Sequence, residues 1–76
     1  MNSQHLAIRT RLKEMAPRRA MAYVRSFHLQ PEEELFILDH DVLGKSIQQI
    51  ATENSVSPET VKRRRKTGFL KIIDAL

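Results

Sequence analysis

A run of five consecutive cations, Lys62 to Lys66, is the feature of this sequence best suited to binding a ligand. Lysine and arginine side chains bind phosphate oxygens, and a dense basic run on one element is typical of contact with a nucleic-acid backbone. A basic run is often only a solvated helix face, so the interpretation depends on the element that carries it. The net charge of +4 also favours a polyanionic partner.

The charges are sorted into blocks along the chain. Residues 1–29 hold six Lys/Arg and one Glu, and residues 30–54 hold one Lys/Arg and six Asp/Glu. Residues 55–76 hold six Lys/Arg and two Asp/Glu. A basic C-terminal block beside an acidic middle block suggests that the two blocks have different roles.

The basic run overlaps the end of a helix-turn-helix pattern in residues 46–63. Ser46 begins a capping box, which predicts a helix start, and Ser57-Pro58 predicts a second start. Between them, Ala51 is a small residue at the point where two helix axes would approach each other. Apolar residues on either side would hold the two helices together: Ile47, Ile50, Val56 and Val61.

The second helix of such a motif lies in the major groove of duplex DNA, with its first turns at base edges and its flanks at phosphates. We expect base reading by the outward residues of those turns, Glu59, Thr60, Lys62 and Arg63. A cation there would bind guanine, Thr60 a thymine methyl group or a phosphate, and Glu59 a cytosine amino group. We expect phosphate contacts from Ser57, Arg64, Arg65, Lys66 and Thr67.

The stretch from Ser46 to Arg63, with its Ile-Ala, Val-Ser and Thr-Val-Lys elements, resembles a known family. It is similar to the helix-turn-helix of the C-terminal promoter-recognition domain of bacterial sigma factors, and to small phage-type regulators that share this domain. The resemblance covers residues 31–76. It implies a helical fold, promoter binding through the last helix by the four base-reading residues named above, and contact with RNA polymerase. Three residues depart from the family's pattern: Ser55 stands where the turn usually has glycine, Asn54 where a leucine usually packs, and Arg65 on a face that is usually apolar. We expect Ser55 to take the left-handed backbone conformation at some cost.

Helices are expected along the whole chain, because alternating patterns and β-branched runs are missing. The first helix would run from Ser3 to about Glu14, the second from Pro17 over about eleven residues, and the third from Gln30-Pro31. A break at Leu43-Gly44-Lys45 would precede the last two helices. The apolar periodicity of the first three helices predicts inward positions at Met1, His5, Ile8, Leu12, Met15, Ala20, Val24, Phe27, Leu35, Leu38 and Val42. The last helix would bury Val61, Gly68, Phe69, Ile72, Ile73 and Leu76.

We therefore expect one all-α domain over residues 1–76, a compact bundle of about five short helices with a C-terminal helix-turn-helix. Residues 31–76 would form the helix-turn-helix unit. Residues 1–29 would form two basic helices that brace this unit or make a homodimer interface. A dimer would recognise two half-sites about one helical turn apart. Without cysteine or a long apolar run, we expect no disulfide, no membrane span and a cytoplasmic protein.

Residue types that serve catalysis or metal binding are present but do not form a recognisable site. His5, His28 and His40 lack the spacing of metal ligands. The stretch Asp39 to Asp41 has no accompanying nucleophile, and Gly44-Lys45-Ser46 lacks the strand and first glycine of a phosphate-binding loop. We expect no enzymatic activity, no metal and no cofactor.

The main alternative is a protein-interaction module that binds RNA polymerase or another regulator through the acidic block 32–41. In that case Glu32-Glu33-Glu34 and Asp39-Asp41 would form the working surface, and neutralising it would abolish function. The N-terminal cations would solubilise the first helices or pair with this block, and an extension of a DNA footprint is the less favoured role for them. Binding of single-stranded nucleic acid is disfavoured, because the chain has only four aromatic residues.

Overall fold

The computed structural model describes residues 3–76, which fold into helices and connecting turns. The helices are α1 (Ser3–Glu14), α2 (Pro17–Arg25), α3 (Pro31–Ile37), α4 (Ile47–Glu53) and α5 (Pro58–Ala75). A π-helical turn, Leu38–Val42, continues directly from α3. No strand occurs within residues 3–76, so the expected all-α bundle of about five helices is confirmed. Met1, expected on the inner face of the first helix, lies outside the described residues.

Local side-chain chemistry explains where the C-terminal helices begin. The hydroxyl of Ser46 accepts the backbone N–H of Gln49 at 3.0 Å, and the hydroxyl of Ser57 accepts that of Thr60 at 3.1 Å. Each bond satisfies one of the helix N–H groups that have no partner within the helix. Gly44, with φ of +78°, provides the left-handed backbone between the π-helical turn and α4. The expected helix starts and the expected break are confirmed.

The core consists of two apolar clusters that share α5. The larger cluster joins α1, α2 and α3 to the C-terminal half of α5, and it contains Ile8, Leu12, Ala20, Val24, Ile37, Leu38, Phe69 and Ile72. The smaller cluster joins α3 and α4 to the first turns of α5, and it contains Phe36, Ile50, Ala51 and Val61. Because α5 contributes to both clusters, its rotation about its own axis is fixed along most of its length.

Two expected core positions are corrected by the structure. Leu35 is 41% exposed, while the neighbouring Phe36 and Ile37 are buried. The reason is that α3 packs on two sides, with Phe36 in the smaller cluster and Ile37 in the larger one, so Leu35 points outward. Leu76 is 73% exposed, because it follows the last residue of α5.

No helix within residues 3–76 is both long enough and apolar enough to cross a lipid bilayer.

Candidate nucleic-acid interface

The turn between α4 and α5 is closed by backbone and side-chain hydrogen bonds. Ser55 has φ of +56°, the left-handed conformation expected from its replacement of glycine. The backbone N–H of Val56 donates to the carbonyl of Ala51 at 3.0 Å. The side-chain amide of Asn54 donates to the carbonyl of Ile50 at 2.8 Å. These bonds satisfy carbonyls at the end of α4, so the turn fixes where α5 begins.

The expected apolar contacts of the motif are present. Ala51 and Val61 are fully buried against each other's helices, and Ile47 and Val56 pack against the same cluster. With Val61 facing inward, neighbouring residues of the first turns of α5 must face solvent. The helix-turn-helix arrangement predicted for residues 46–63 is therefore formed.

The structure brings three of the four predicted base-reading residues to the surface of α5. Glu59, Lys62 and Arg63 are exposed. The Nζ atom of Lys62 lies 3.8 Å from a carboxylate oxygen of Glu59 one turn earlier. Thr60 is half-buried, and its hydroxyl lies 3.0 Å from that of Ser57. The exposed ion pair between Glu59 and Lys62 is weak. Both side chains can therefore leave it and bind a ligand.

Among the predicted phosphate-binding residues, Ser57, Arg64 and Lys66 reach the surface. Ser57 and Lys66 are exposed, and Arg64 is half-exposed with its Nε atom 4.0 Å from a carboxylate oxygen of Glu32. Within residues 3–76, no carboxylate lies within ion-pair distance of Arg63 or Lys66. Together with the weakly paired Lys62, these two cations form a basic strip along the exposed side of α5.

Arg65 does not belong to this strip, which corrects the expected phosphate contact. Its side chain is only 11% exposed and turns inward to Asp41. The Nη2 atom of Arg65 lies 2.8 and 3.0 Å from the two carboxylate oxygens, and its Nε atom lies 3.2 Å from Oδ2. A buried carboxylate needs a hydrogen-bonded cation, and Arg65 provides it.

Thr67 is also corrected, because its hydroxyl is used inside the protein. It donates to Oε2 of Glu33 at 2.8 Å, and the same carboxylate accepts from Nζ of Lys71 at 2.8 Å. Burial alone would raise the pKa of Glu33, but the hydrogen bonds from Lys71, the backbone N–H of Gln30 and Thr67 outweigh it and lower the pKa. Glu33 is therefore held as an ion that joins α3 to α5.

The acidic block 32–41 is largely an interior feature. Glu33, Asp39 and Asp41 are buried. Asp39 lies 3.9 Å from Nζ of Lys45, while Glu33 and Asp41 bind α5 as described. Of the five carboxylates, only those of Glu32 and Glu34 remain accessible, each near an arginine. The chain does not present the continuous acidic surface that the alternative hypothesis requires.

The pairing of Asp41 with Arg65 is the main contact that the sequence analysis did not predict. Both residues interrupt apolar faces, since Asp41 lies beside Leu38 and Val42 and Arg65 lies on a face that is usually apolar. One acidic and one basic residue on two otherwise apolar faces are the pattern expected of a buried ion pair. That pattern was available in the sequence.

Metal-binding side chains are not clustered in the described residues. In the part of the chain that the structure describes, no group of three or more His, Cys, Asp or Glu side chains is arranged to hold a metal ion. Among the exposed side chains of α5, those of Lys62, Arg63 and Lys66 carry positive charges, which suit an anionic ligand.

No family model matches the chain, and no curated protein or solved structure is significantly similar to it.

Proposed function

We propose that this protein is a small transcription regulator of bacterial or phage type that binds duplex DNA by placing α5 in the major groove. The observation that carries the proposal is the basic strip on α5, in which Lys62, Arg63 and Lys66 are exposed beside a capped helix start. Arg63 and Lys66 have no carboxylate within ion-pair distance among residues 3–76, and Lys62 has only a weak exposed pair with Glu59. Their charges are therefore available for phosphates and for guanine edges. The likeness of residues 46–63 to sigma-factor promoter-recognition domains supports the same conclusion.

The rigidity of α5 favours sequence-specific recognition. Its first turn is held by Ser57 and by the smaller core cluster, and its second half is held by Glu33 and Asp41. A reading helix that is already ordered loses less conformational entropy on binding than a helix that must fold at the same time. We propose that Lys62, Arg63, Glu59 and Thr60 read bases, while Ser57, Arg64 and Lys66 contact phosphates.

The interior position of the acidic block supports DNA over the alternative of a protein-interaction module. Glu33 and Asp41 are buried, so neutralising either one would disturb folding. Neither side chain is therefore available as part of a docking surface for a protein. Contact with RNA polymerase stays compatible with DNA binding and is part of what the resemblance implies. A homodimer would place two α5 helices on half-sites about 10 base pairs apart.

The test is a titration of labelled duplexes with wild-type protein and a Lys62→Glu/Arg63→Glu variant at two salt concentrations. One duplex would come from the upstream region of the protein's own gene and another would have random sequence. The matched control is Arg18→Glu/Arg19→Glu, which makes the same charge change at exposed residues on α2. We expect the α5 variant to lose binding and the α2 variant to keep most of it.

Salt provides the second readout of this experiment. Wild-type affinity should fall steeply as salt rises, because each neutralised phosphate releases condensed counterions. Preference for one duplex would indicate base reading. If both variants lost the same amount of DNA affinity, the effect would come from net charge and not from the position of the cations on α5. If the wild-type protein bound no duplex at low salt, the proposed function would be rejected.

A further inference from the structure

Asp41 lies between arginines from two different helices. Arg65 of α5 binds it through Nε and Nη2, and Arg9 of α1 approaches Oδ1 through Nε at 3.3 Å. One carboxylate therefore faces two guanidinium groups, and the three side chains together carry an excess positive charge. Arg65 is largely buried, whereas the side chain of Arg9 is 25% exposed and has no other carboxylate within ion-pair distance among residues 3–76.

The excess charge lies next to the basic strip of α5. The ring of His5, one turn before Arg9 on α1, lies 4.3 Å from the ring of Phe69 between centroids. Burial lowers the pKa of His5, and the charges of Arg65, Arg9 and Lys66 lower it further, against an opposing effect of Asp41. Asp41 thus joins Arg9 of α1 to Arg65 of α5, and Lys66 is the next residue of α5.

Two other N-terminal cations, Arg25 and Arg11, have partners of their own. Arg25 of α2 has its own carboxylate partner, Glu34, at 3.7 Å. Arg11 lies over the ring of Tyr23, with its guanidinium carbon 6.0 Å from the ring centroid. Arg9 shares its partner with Arg65, so only part of its charge is balanced.

We propose that Arg9 and Lys66 form a phosphate-binding pair, through which α1 holds the DNA backbone beside the groove that α5 occupies. The inference rests on the proposed DNA binding of α5 and adds the first helix to the interface. Arg9 would donate from its guanidinium edge, and Lys66 would act as an exposed point charge. These contacts carry no sequence information, so they add affinity and orientation without changing the preferred site.

The test measures how the binding constant for one duplex depends on salt in three variants that each lose one positive charge: Arg9→Gln, Lys66→Gln and Arg25→Gln. In a plot of log binding constant against log salt, each lost phosphate contact lowers the magnitude of the slope by about 0.9. We expect that decrease for Arg9→Gln and for Lys66→Gln. Arg25→Gln, the matched control, should keep the wild-type slope, and Arg9→Lys should restore it.

Each outcome has a definite meaning. A wild-type slope in Arg9→Gln, with DNA binding intact, would overturn this inference and leave the proposed function standing. A wild-type protein that binds no duplex would overturn both. Circular dichroism checks that each variant is folded. Arg9→Gln should fold, because Asp41 keeps its hydrogen bonds to Arg65 in that variant. An unchanged slope in Lys66→Gln would likewise refute the pair, because Lys66 is exposed and its replacement leaves the fold intact.

Discussion

Replacement of Asp41 by alanine should strongly destabilise the protein. The Asp41 side chain is only 1% exposed and binds Arg65, which is 11% exposed and has no second carboxylate within reach among residues 3–76. Removing one partner of a buried ion pair costs about 3–5 kcal/mol, because the other charge stays buried without compensation. A chain of this length has a free energy of unfolding of about 4–11 kcal/mol. Asp41→Ala should therefore remove a large part of the stability, and at the lower limit it would unfold the protein.

The assay is urea denaturation at neutral pH, followed by circular dichroism. Arg9→Gln is the control within the same cluster, because Asp41 keeps its bonds to Arg65 in that variant. Its loss should be about 1 kcal/mol or less, as for a partly exposed ion pair. The double variant Asp41→Leu/Arg65→Met replaces the pair by apolar side chains. It should be more stable than Asp41→Leu alone, since no unpaired guanidinium remains.

Either of two results would refute this reasoning. One is a loss below about 1 kcal/mol in Asp41→Ala, which would mean that Arg65 rehydrates at little cost. The other is a double variant as unstable as Asp41→Leu alone. In that case the cost would come from altered packing and not from the buried charge.

Three further predictions concern the attachment of α5. Glu33 has a pKa below its ordinary value of 4.5, so its stabilisation is present above that pH and is lost as the pH falls through the lower folded value. In Glu33→Gln, the melting temperature should therefore fall less between neutral and acidic pH than it does in the wild type. The same fall in both proteins would contradict this role of Glu33. Ser57→Ala removes the cap of α5 and should lower the free energy of unfolding by about 1 kcal/mol in urea denaturation. An unchanged free energy of unfolding would mean that the backbone N–H of Thr60 binds another acceptor. Gly68→Val should cost about 1–3 kcal/mol, because a Cβ at Gly68 would lie 3.2 Å from Cβ of Glu33 and would displace Cδ1 of Ile37, which is fully buried. A Gly68→Val protein as stable as the wild type would contradict this, and would show that Ile37 and α3 adjust to the added side chain at little cost.

Most of the fold could be predicted from the sequence, because its signals are local. Ser46 and Ser57 cap helices through bonds to residues only three positions away. Pro17 and Pro58 lie in the first turns of their helices, where the missing N–H has no cost. The left-handed backbone at Ser55 was predictable from its position in the turn.

Features that depend on contacts between distant helices were not predictable in the same way. The π-helical turn after α3 and the outward position of Leu35 arise from packing on two sides of α3. Gly68 lies in the middle of α5 because α3 approaches closely there, with Cβ of Glu33 3.2 Å from the position that a side chain would take. Helical periodicity alone does not identify such an approach.

In the candidate site too, features set by local sequence were predictable and features set by distant contacts were not. The outward positions of Glu59, Lys62 and Arg63 follow from the inward position of Val61, which the apolar pattern predicts. The roles of Arg65 and Thr67 depend on carboxylates 24 and 34 residues away in sequence. A basic run of five residues therefore contains one residue that stabilises the fold among others that are exposed or half-exposed.

The most direct test of DNA binding through α5 is an amide chemical-shift titration of isotope-labelled protein with a short duplex. We predict that the largest changes fall on residues 57–67, with further changes near Arg9 and only small ones near Glu32 and Glu34. Those two carboxylates are the accessible part of the acidic block. Changes centred on α3, or none at a duplex concentration well above the protein concentration, would contradict the account.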